Sequence, residues 1–288
     1  MDFKSKTLLT CALIFIGLGL LLIYQSQTLG KLRLIACDVG QGDGLLIISP
    51  DGREILIDAG AGSKMVDCLS RYMPFWDREI EMIVPTHPHQ EHMEGFLEVL
   101  ARYKVNAILT TEVPNDTQFY KKWQKALNKE GANIYTPNGK DQFIIDSSQT
   151  KLQVLWPTRP AIDRWKKQPP SDLNDTSIVL RLEYGQFCAY LTGDLPKELL
   201  QNLIDKPCQV LKVVHHGSRT GTNEKVLEEA KPQLAIIQVG KNNKFGHPHK
   251  EVIDLLTSRG VKILRNDING SIELDSDGKA YQVKSERR

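Results

Sequence analysis

The stretch THPHQEHMEG, residues 86–95, holds three of the chain's seven histidines within six positions, with Glu91 beside His92. A lone surface histidine carries little meaning, and an H-x-H pair in a loop can be an accident of composition. The flanks change the reading. EMIVP (81–85) is an apolar, β-branched run of strand character, and HMEGFLEVLARY (92–103) sets Met93, Phe96, Leu97, Leu100 and Ala101 at helical spacing. The histidines therefore stand where a buried strand ends and a helix begins, a rigid corner open to solvent. In an extended turn His87 and His89, two apart, project to one side. Glu91 and His92 start the helix and can turn back into the same space. Imidazole and carboxylate are donors that suit zinc, manganese or iron.

Other strand ends hold further donors. Asp58 ends ILID and Asp194 ends CAYLTGD, while His215 and His216 follow LKVV, and His247 and His249 follow LAIIQVG. All seven histidines fall in three clusters, each directly after a strand-like run. Random placement would scatter some into helices or the polar loop. Asp194 alone reads equally as a turn aspartate capping the next helix. Beside His215-His216-Gly217-Ser218 the ligand reading is favoured.

The elements that must position these groups alternate from residue 31 onward. KLRLIACDV (31–39), GLLIISP (44–50) and REILIDAG (53–60) read as strands, the last two joined at Asp51-Gly52. A helical run (63–72) precedes the strand into His87. VNAILTT (105–111), a polar helix near 116–131 and short strands through VLWP (154–157) follow. TRPAIDRWKKQPPSDLNDT (158–176), charged and Pro-rich, reads as a loop. SIVLRLEYGQFCAYLTGD (177–194) is two strands joined at Gly185-Gln186. Helices at 196–204, 223–231 and 249–259 then alternate with QVLKVV (209–214) and LAIIQVG (234–240), before a final hairpin. No repeat of constant period is visible. Strands interleaved with helices twice over predict two packed sheets with helices outside.

Composition narrows the class. A length of 288 residues fits one large domain or two small ones, and 41% hydrophobic with 25% charged residues is globular. A net charge of +2 gives no case for a strong polyanion-binding surface. KKWQK (121–125) and RWKK (164–167) mix cations with a tryptophan; each reads as solvated surface, with nucleic-acid contact as the alternative. TLLTCALIFIGLGLLLIY (7–24) is eighteen uncharged residues after Lys4 and Lys6, close to the ~20 that span a bilayer. A cleaved signal peptide competes, but no A-x-A-like site follows in YQSQTLGK. Lys4 and Lys6 argue for a cytoplasmic N-terminus and an extracytoplasmic body, against the pull of Lys31 and Arg33. The expected division is a single-pass membrane anchor, 1–29, and a domain, 30–288. Cys37, Cys68, Cys188 and Cys208 show no C-x-x-C spacing, so buried free thiols are expected, with pairing open to an exported domain.

DVGQGD (38–43), ILIDAG (55–60), the histidine cluster at 87–92, LTGD (191–194), HHGS (215–218) and FGHP (245–248) resemble, in that order, the metallo-β-lactamase superfamily. More narrowly they resemble the hydrolase domain of ComEC-type DNA-uptake proteins, over about residues 32–285. The resemblance implies an α/β (α+β) fold, a four-layer αββα sandwich, with two divalent metal ions, zinc or manganese, at the sheet edges. It implies a hydrolase acting on phosphodiesters: DNA or another such polymer, with a separate DNA-uptake channel protein as a further partner.

Carried over residue by residue, His87 and His89 bind one metal, Glu91 and His92 the second, and Asp194 bridges. One of His215 and His216 completes the second site and the other faces the substrate. His247 lies at the rim, holding a phosphate or protonating the leaving group. Asp58 orients a ligand histidine, and Asp38 and Asp43 bracket a loop on the site floor. Gly217, Ser218 and Thr220 can approach a phosphate. Two metals lower the pKa of a shared water toward neutrality and neutralise charge on the phosphoryl oxygens.

Two departures stand out. The superfamily carries Asp where this chain has Glu91 and Gly where it has Glu94. Many members also supply a histidine where LNDTS offers Asn174 and Asp175. Glutamate must fold back or push the metal outward, so weak phosphodiesterase activity that rises on Glu91→Asp is expected. The alternatives are a lactamase-, lactonase- or thioesterase-type hydrolase, and an inactive metal-binding module that holds nucleic acid or a partner.

Overall fold

The computed structural model describes residues 7, 10–17, 19, 30–111 and 113–287. Two sheets form its centre. The first has the strand order β15-β14-β1-β2-β3-β4-β5-β6, where β1 is Leu32–Ala36, β2 Gly44–Ile48, β3 Glu54–Ala59, β4 Glu79–Val84, β5 Lys104–Leu109, β6 Asn133–Tyr135, β14 Ile272–Ser276 and β15 Tyr281–Ser285. The second runs β13-β12-β11-β10-β9-β8-β7, with β7 Gln142–Ile144, β8 Lys151–Trp156, β9 Val179–Tyr184, β10 Phe187–Leu191, β11 Val210–Lys212, β12 Leu234–Ile237 and β13 Lys262–Arg265.

The strands are apolar on both faces because both faces are covered. Leu45, Ile47, Ile55 and Ile57 meet Leu180, Leu182, Ala189 and Leu191 between the sheets. Their alternates, Leu46 and Leu56, face helices instead, packing with Leu69, Phe96 and Trp123. On the far side Tyr190 and Leu211 pack with Leu227 and Leu256. The result is the expected helix–sheet–sheet–helix sandwich.

Each sheet begins as antiparallel neighbours and continues as parallel ones. β1–β2–β3 are antiparallel and β3–β4–β5–β6 parallel; β8–β9–β10 are antiparallel and β10–β11–β12–β13 parallel. Parallel strands need crossovers, which aligns their carboxyl ends along one edge. The helix Lys64–Tyr72, one such crossover, buries Met65, Cys68 and Leu69 at helical spacing. The helix Gln118–Glu130 starts at Thr117, whose side chain accepts from Tyr120 N, and stops at left-handed Gly131.

Four sequence readings change. The stretch read as loop over 158–176 contains the helix Arg159–Lys167, with Pro160 in its first turn, where no backbone N–H is needed. It buries Ala161, Ile162 and Trp165 beside Val113. The helix expected over 92–103 is two pieces, Gln90–Met93 and Gly95–Leu100. Trp123 and Trp165 are buried, so the cation-flanked tryptophans at 121–125 and 164–167 offer no face for stacking. The four cysteines are not free thiols: Cys37 pairs with Cys68 and Cys188 with Cys208, at Cα separations of 6.0 and 5.0 Å.

The apolar run 7–24 lies partly outside the described residues; those described within it are helical. No helix among the described residues is long and apolar enough to cross a membrane.

Candidate metal centre

The carboxyl ends of β3, β4, β10, β11 and β12 deliver the histidine and aspartate loops to one place, where open α/β sheets bind ligands. Asp194 is the hub. Its Oδ2 lies 3.2 Å from His92 Nε2, 3.5 Å from His216 Nε2, 3.7 Å from His215 Nε2 and 3.9 Å from His87 Nε2.

Three of these rings are buried and held from behind. His92 Nδ1 donates to Asp58 Oδ2 at 2.8 Å, and His216 Nδ1 donates to the Gln238 carbonyl at 2.9 Å. The Thr86 hydroxyl donates to Asp58 Oδ2 at 2.7 Å, so its oxygen is left to accept from His87 Nδ1 at 3.0 Å. With each Nδ1 proton committed, each Nε2 faces Asp194 with a lone pair that could bind a metal. Outer carboxylates and carbonyls fix ligand histidines in this way. Asp58 holds His92 Nδ1 with one oxygen and the Thr86 backbone N–H with the other.

Glu91 completes a compact set. Its Oε1 is 3.5 Å from His216 Nε2, and one donor atom each from Glu91, His92, Asp194 and His216 lie within 4.8 Å of one another. The 38–43 loop passes close behind the Glu91 backbone. A Cβ on Gly42, at φ 121°, would run into the Glu91 carbonyl. His216 Nε2 is buried without a hydrogen bond, as a nitrogen reserved for a cation would be. These donors fit a divalent metal.

Electrostatics sort the rings into two kinds. Burial pulls His92 down, but Asp194 and Asp58 outweigh it and lift the ring to about 10. Burial likewise opposes Asp194 and Asp43 at His216, which ends well above its usual value. His87 and His89 go the other way, lowered by burial and then by the charge on His92. Asp194 stays well below the carboxylate range, because His92 and His216 overcome its burial.

Asp43, Asp58 and His92 form a second tight buried group, but its cation is already present. The buried ammonium of Lys212 pairs with Asp43 Oδ2, donates to the Gly193 carbonyl at 3.0 Å and stands 3.8 Å from Asp194 Oδ1. Asp43 Oδ1 in turn lies 3.2 Å from His216 Nδ1. Lys212 and Gln238 were missed by the sequence reading. A signal existed for Lys212: a lysine inside the apolar run QVLKVV must be paired if that run is buried.

His87 and His89 meet at 3.0 Å between Nε2 and Nδ1. The turn Leu173–Thr176 beside them brings Ser177 Oγ to 3.4 Å from His87 Nδ1 and leaves Asn174 Oδ1 buried without a partner. His215 and His216 both take left-handed backbone, at φ 50° and 55°, a strained conformation that persists at functional sites. It turns His216 inward and leaves His215 a quarter exposed toward the rim. Ser218 Oγ and Thr220 Oγ1 are hydrogen-bonded at 3.0 Å.

At that rim the His247 ring is 5.6 Å from His215. Burial and the neighbouring His216 and His215 lower it to about 4, so it is uncharged at neutral pH. Asp38 does not join the centre: it pairs with Arg287 at 2.5 Å and accepts nothing from the histidines. Only Asp43, at the other end of DVGQGD, turns inward.

The fold and the donors together define a class. Residues 37–241 match the metallo-beta-lactamase superfamily, and the chain belongs to it. Among curated relatives it is 29% identical to ComE operon protein 3 of Bacillus subtilis, over 93% of this chain and 36% of that protein. It is 25% identical to Recombination protein 2 of Haemophilus influenzae, over 88% and 30%. The Neisseria gonorrhoeae competence protein ComA matches at 33% over 35% of the chain and 16% of that protein. The chain thus spans about a third of the length of the first two. Among solved structures, the metallo-beta-lactamase fold protein YhfI of Bacillus subtilis superposes with TM-score 0.56 at 14% identity, covering 85% of this chain and 100% of that one.

Proposed function

We propose that the chain is a two-metal phosphodiesterase, acting on DNA or another phosphodiester polymer. The observation that carries this is Asp194 Oδ2, ringed by histidine Nε2 atoms whose Nδ1 atoms are held by Asp58, Gln238 and Thr86. Glu91, His92, Asp194 and His216 would hold one zinc or manganese ion. His87, His89 and Asp194 would hold the other, with Asn174 Oδ1 as a further oxygen donor. Divalent ions there supply Lewis acidity and a water of lowered pKa.

The protein's own groups do the rest. Asp194 sits between the two donor sets and fixes their relative position. Asp58 and the Lys212–Asp43 pair keep the rings aimed. His247, uncharged at neutral pH, meets a phosphoryl oxygen as a single N–H donor, the first of the two roles open to it. His215 and the 217–220 turn line the side from which substrate enters.

The competence-related relatives support a place in DNA uptake, and a separate channel protein is the partner this reading calls for. We place residues 30–288 outside the cytoplasm, with 1–29 as a single-pass anchor. The uncharged run 7–24 and the two disulfides support this, since disulfides persist in oxidising compartments. The test is the metal-loaded full chain assayed against bis-p-nitrophenyl phosphate, single-stranded DNA and nitrocefin. Turnover of the first two is expected; turnover of nitrocefin alone would make the chain a lactamase-type hydrolase, and none at all, with metal bound, an inactive module.

A further inference from the structure

We infer that Phe245 is a stacking platform for a nucleobase, so that the chain entering the metal centre is a single strand of nucleic acid and not a base-free phosphodiester polymer. The inference rests on the phosphodiesterase reading for the chemistry beside it. Phe245 is 56% exposed, and its ring lies nearly parallel to His247, centroids 5.7 Å apart with 23° between planes. One further ring step reaches His215, whose Nε2 faces Asp194. The platform therefore continues directly from the metal centre.

Its loop is held in place. Asn243 Nδ2 donates to the carbonyls of Gly240 and His247 at 3.1 and 2.7 Å, while its Oδ1 accepts from the backbone N–H groups of Phe245 and His247 at 3.2 and 3.0 Å. A phenyl ring displayed in water on a loop tied at four points is not explained by packing. Lys241 and Lys244 are exposed on the same loop. Arg219, exposed on the adjoining turn, donates its backbone N–H to His249 Nδ1 at 3.2 Å. Cations that follow a phosphate backbone beside an aromatic that takes a base are the two halves of single-strand binding. Trp123 and Trp165 have the cations but are buried, and Phe75 and Trp76 precede β4, at the edge opposite the metal centre. A glycerol-phosphate backbone offers no π-face for Phe245 to stack on, whereas every base does.

The test uses the full chain and two labelled ligands of equal phosphate count: a single-stranded oligodeoxynucleotide and its fully abasic analogue. Binding is read by fluorescence anisotropy with chelator present to stop turnover, and cleavage is read separately with manganese. Phe245→Ala should weaken oligonucleotide binding roughly 5- to 100-fold, the scale of one base–aromatic stack. Phe245→Trp should restore it, and neither variant should change abasic binding. Equal losses on both ligands, or no loss on either, would overturn the inference. Base-dependent binding without cleavage would sink the phosphodiesterase reading alone. Cleavage of both ligands equally by wild type and Phe245→Ala would sink the stacking platform alone.

Discussion

Glu91, His92, Asp194 and His216 close on one point with donors from three strand ends, whereas His87 and His89, on the same loop as Glu91, share only Asp194 with that set. The first corner has two carboxylates and two rings braced by Asp58, Gln238 and the Lys212–Asp43 pair. The second has a buried ring and a partly exposed one, and the nearby turn Leu173–Thr176 leaves the Asn174 amide oxygen buried without a partner. One loop thus feeds two donor sets of unequal completeness. A closed, charge-matched donor set should fill first and hold its ion; an open one should depend on the metal supplied.

Removing shared or braced donors tests this most severely. Asp194→Asn should lower metal affinity at both sites by more than the 10- to 100-fold typical of outer partners. His216→Ala should empty the closed corner, while His89→Ala should leave one tightly held ion. Metal analysis after dialysis reads the difference, and equal retention by the two histidine variants would dissolve the comparison.

Proton linkage comes next in size. His92, lifted to about 10, is charged at pH 7 in the metal-free protein and His216 is shifted the same way, so binding an ion must displace protons. Filling the closed corner should release protons at pH 7, and its affinity should fall with acid. His87 and His89, already lowered, should release none. Calorimetry in buffers of different ionisation enthalpy measures this. A raised folded pKa gives His92 a stabilising contribution fully present below 6.5 and lost as pH rises toward 10. The metal-free protein should therefore melt at lower temperature at pH 9.5 than at pH 6.

A gain should follow from Asn174→His, which would supply the open corner with an imidazole. The second ion should bind tighter, on the order of tenfold, with the first unchanged. No gain would mean that Asn174 Oδ1 does not face that ion. The smallest effect is expected at Glu91. Its carboxylate already reaches the pocket, and Gly42 fits the loop to its backbone. Glu91→Asp should therefore lower metal affinity and turnover several-fold, within the roughly 100-fold that a 1 Å misplacement can cost. A rise instead would restore the expectation drawn from the sequence, that glutamate detunes the site.

Most of the strands could be read from the chain, because each is an apolar run stopped by a turn. The helix Arg159–Lys167 could not, since Pro160 and the charges on its outer face look like loop until Trp165 finds Trp156. The donors at strand ends were readable as residue types. Their partners were less so. Asp38 and Asp43 look alike in DVGQGD, yet one pairs with Arg287 and the other with Lys212.

By itself the sequence determined which residue types stand at which strand ends, because alternation and turn chemistry act over a few residues. It could not say whether His215 or His216 points inward, which cysteines pair, or what Lys212 neutralises. Those depend on left-handed backbone at a single turn, on a helix lying against β1, and on the 38–43 loop passing behind Glu91. Each is a contact between segments far apart in the chain. Such contacts are fixed by packing and buried charge balance, which no local pattern encodes.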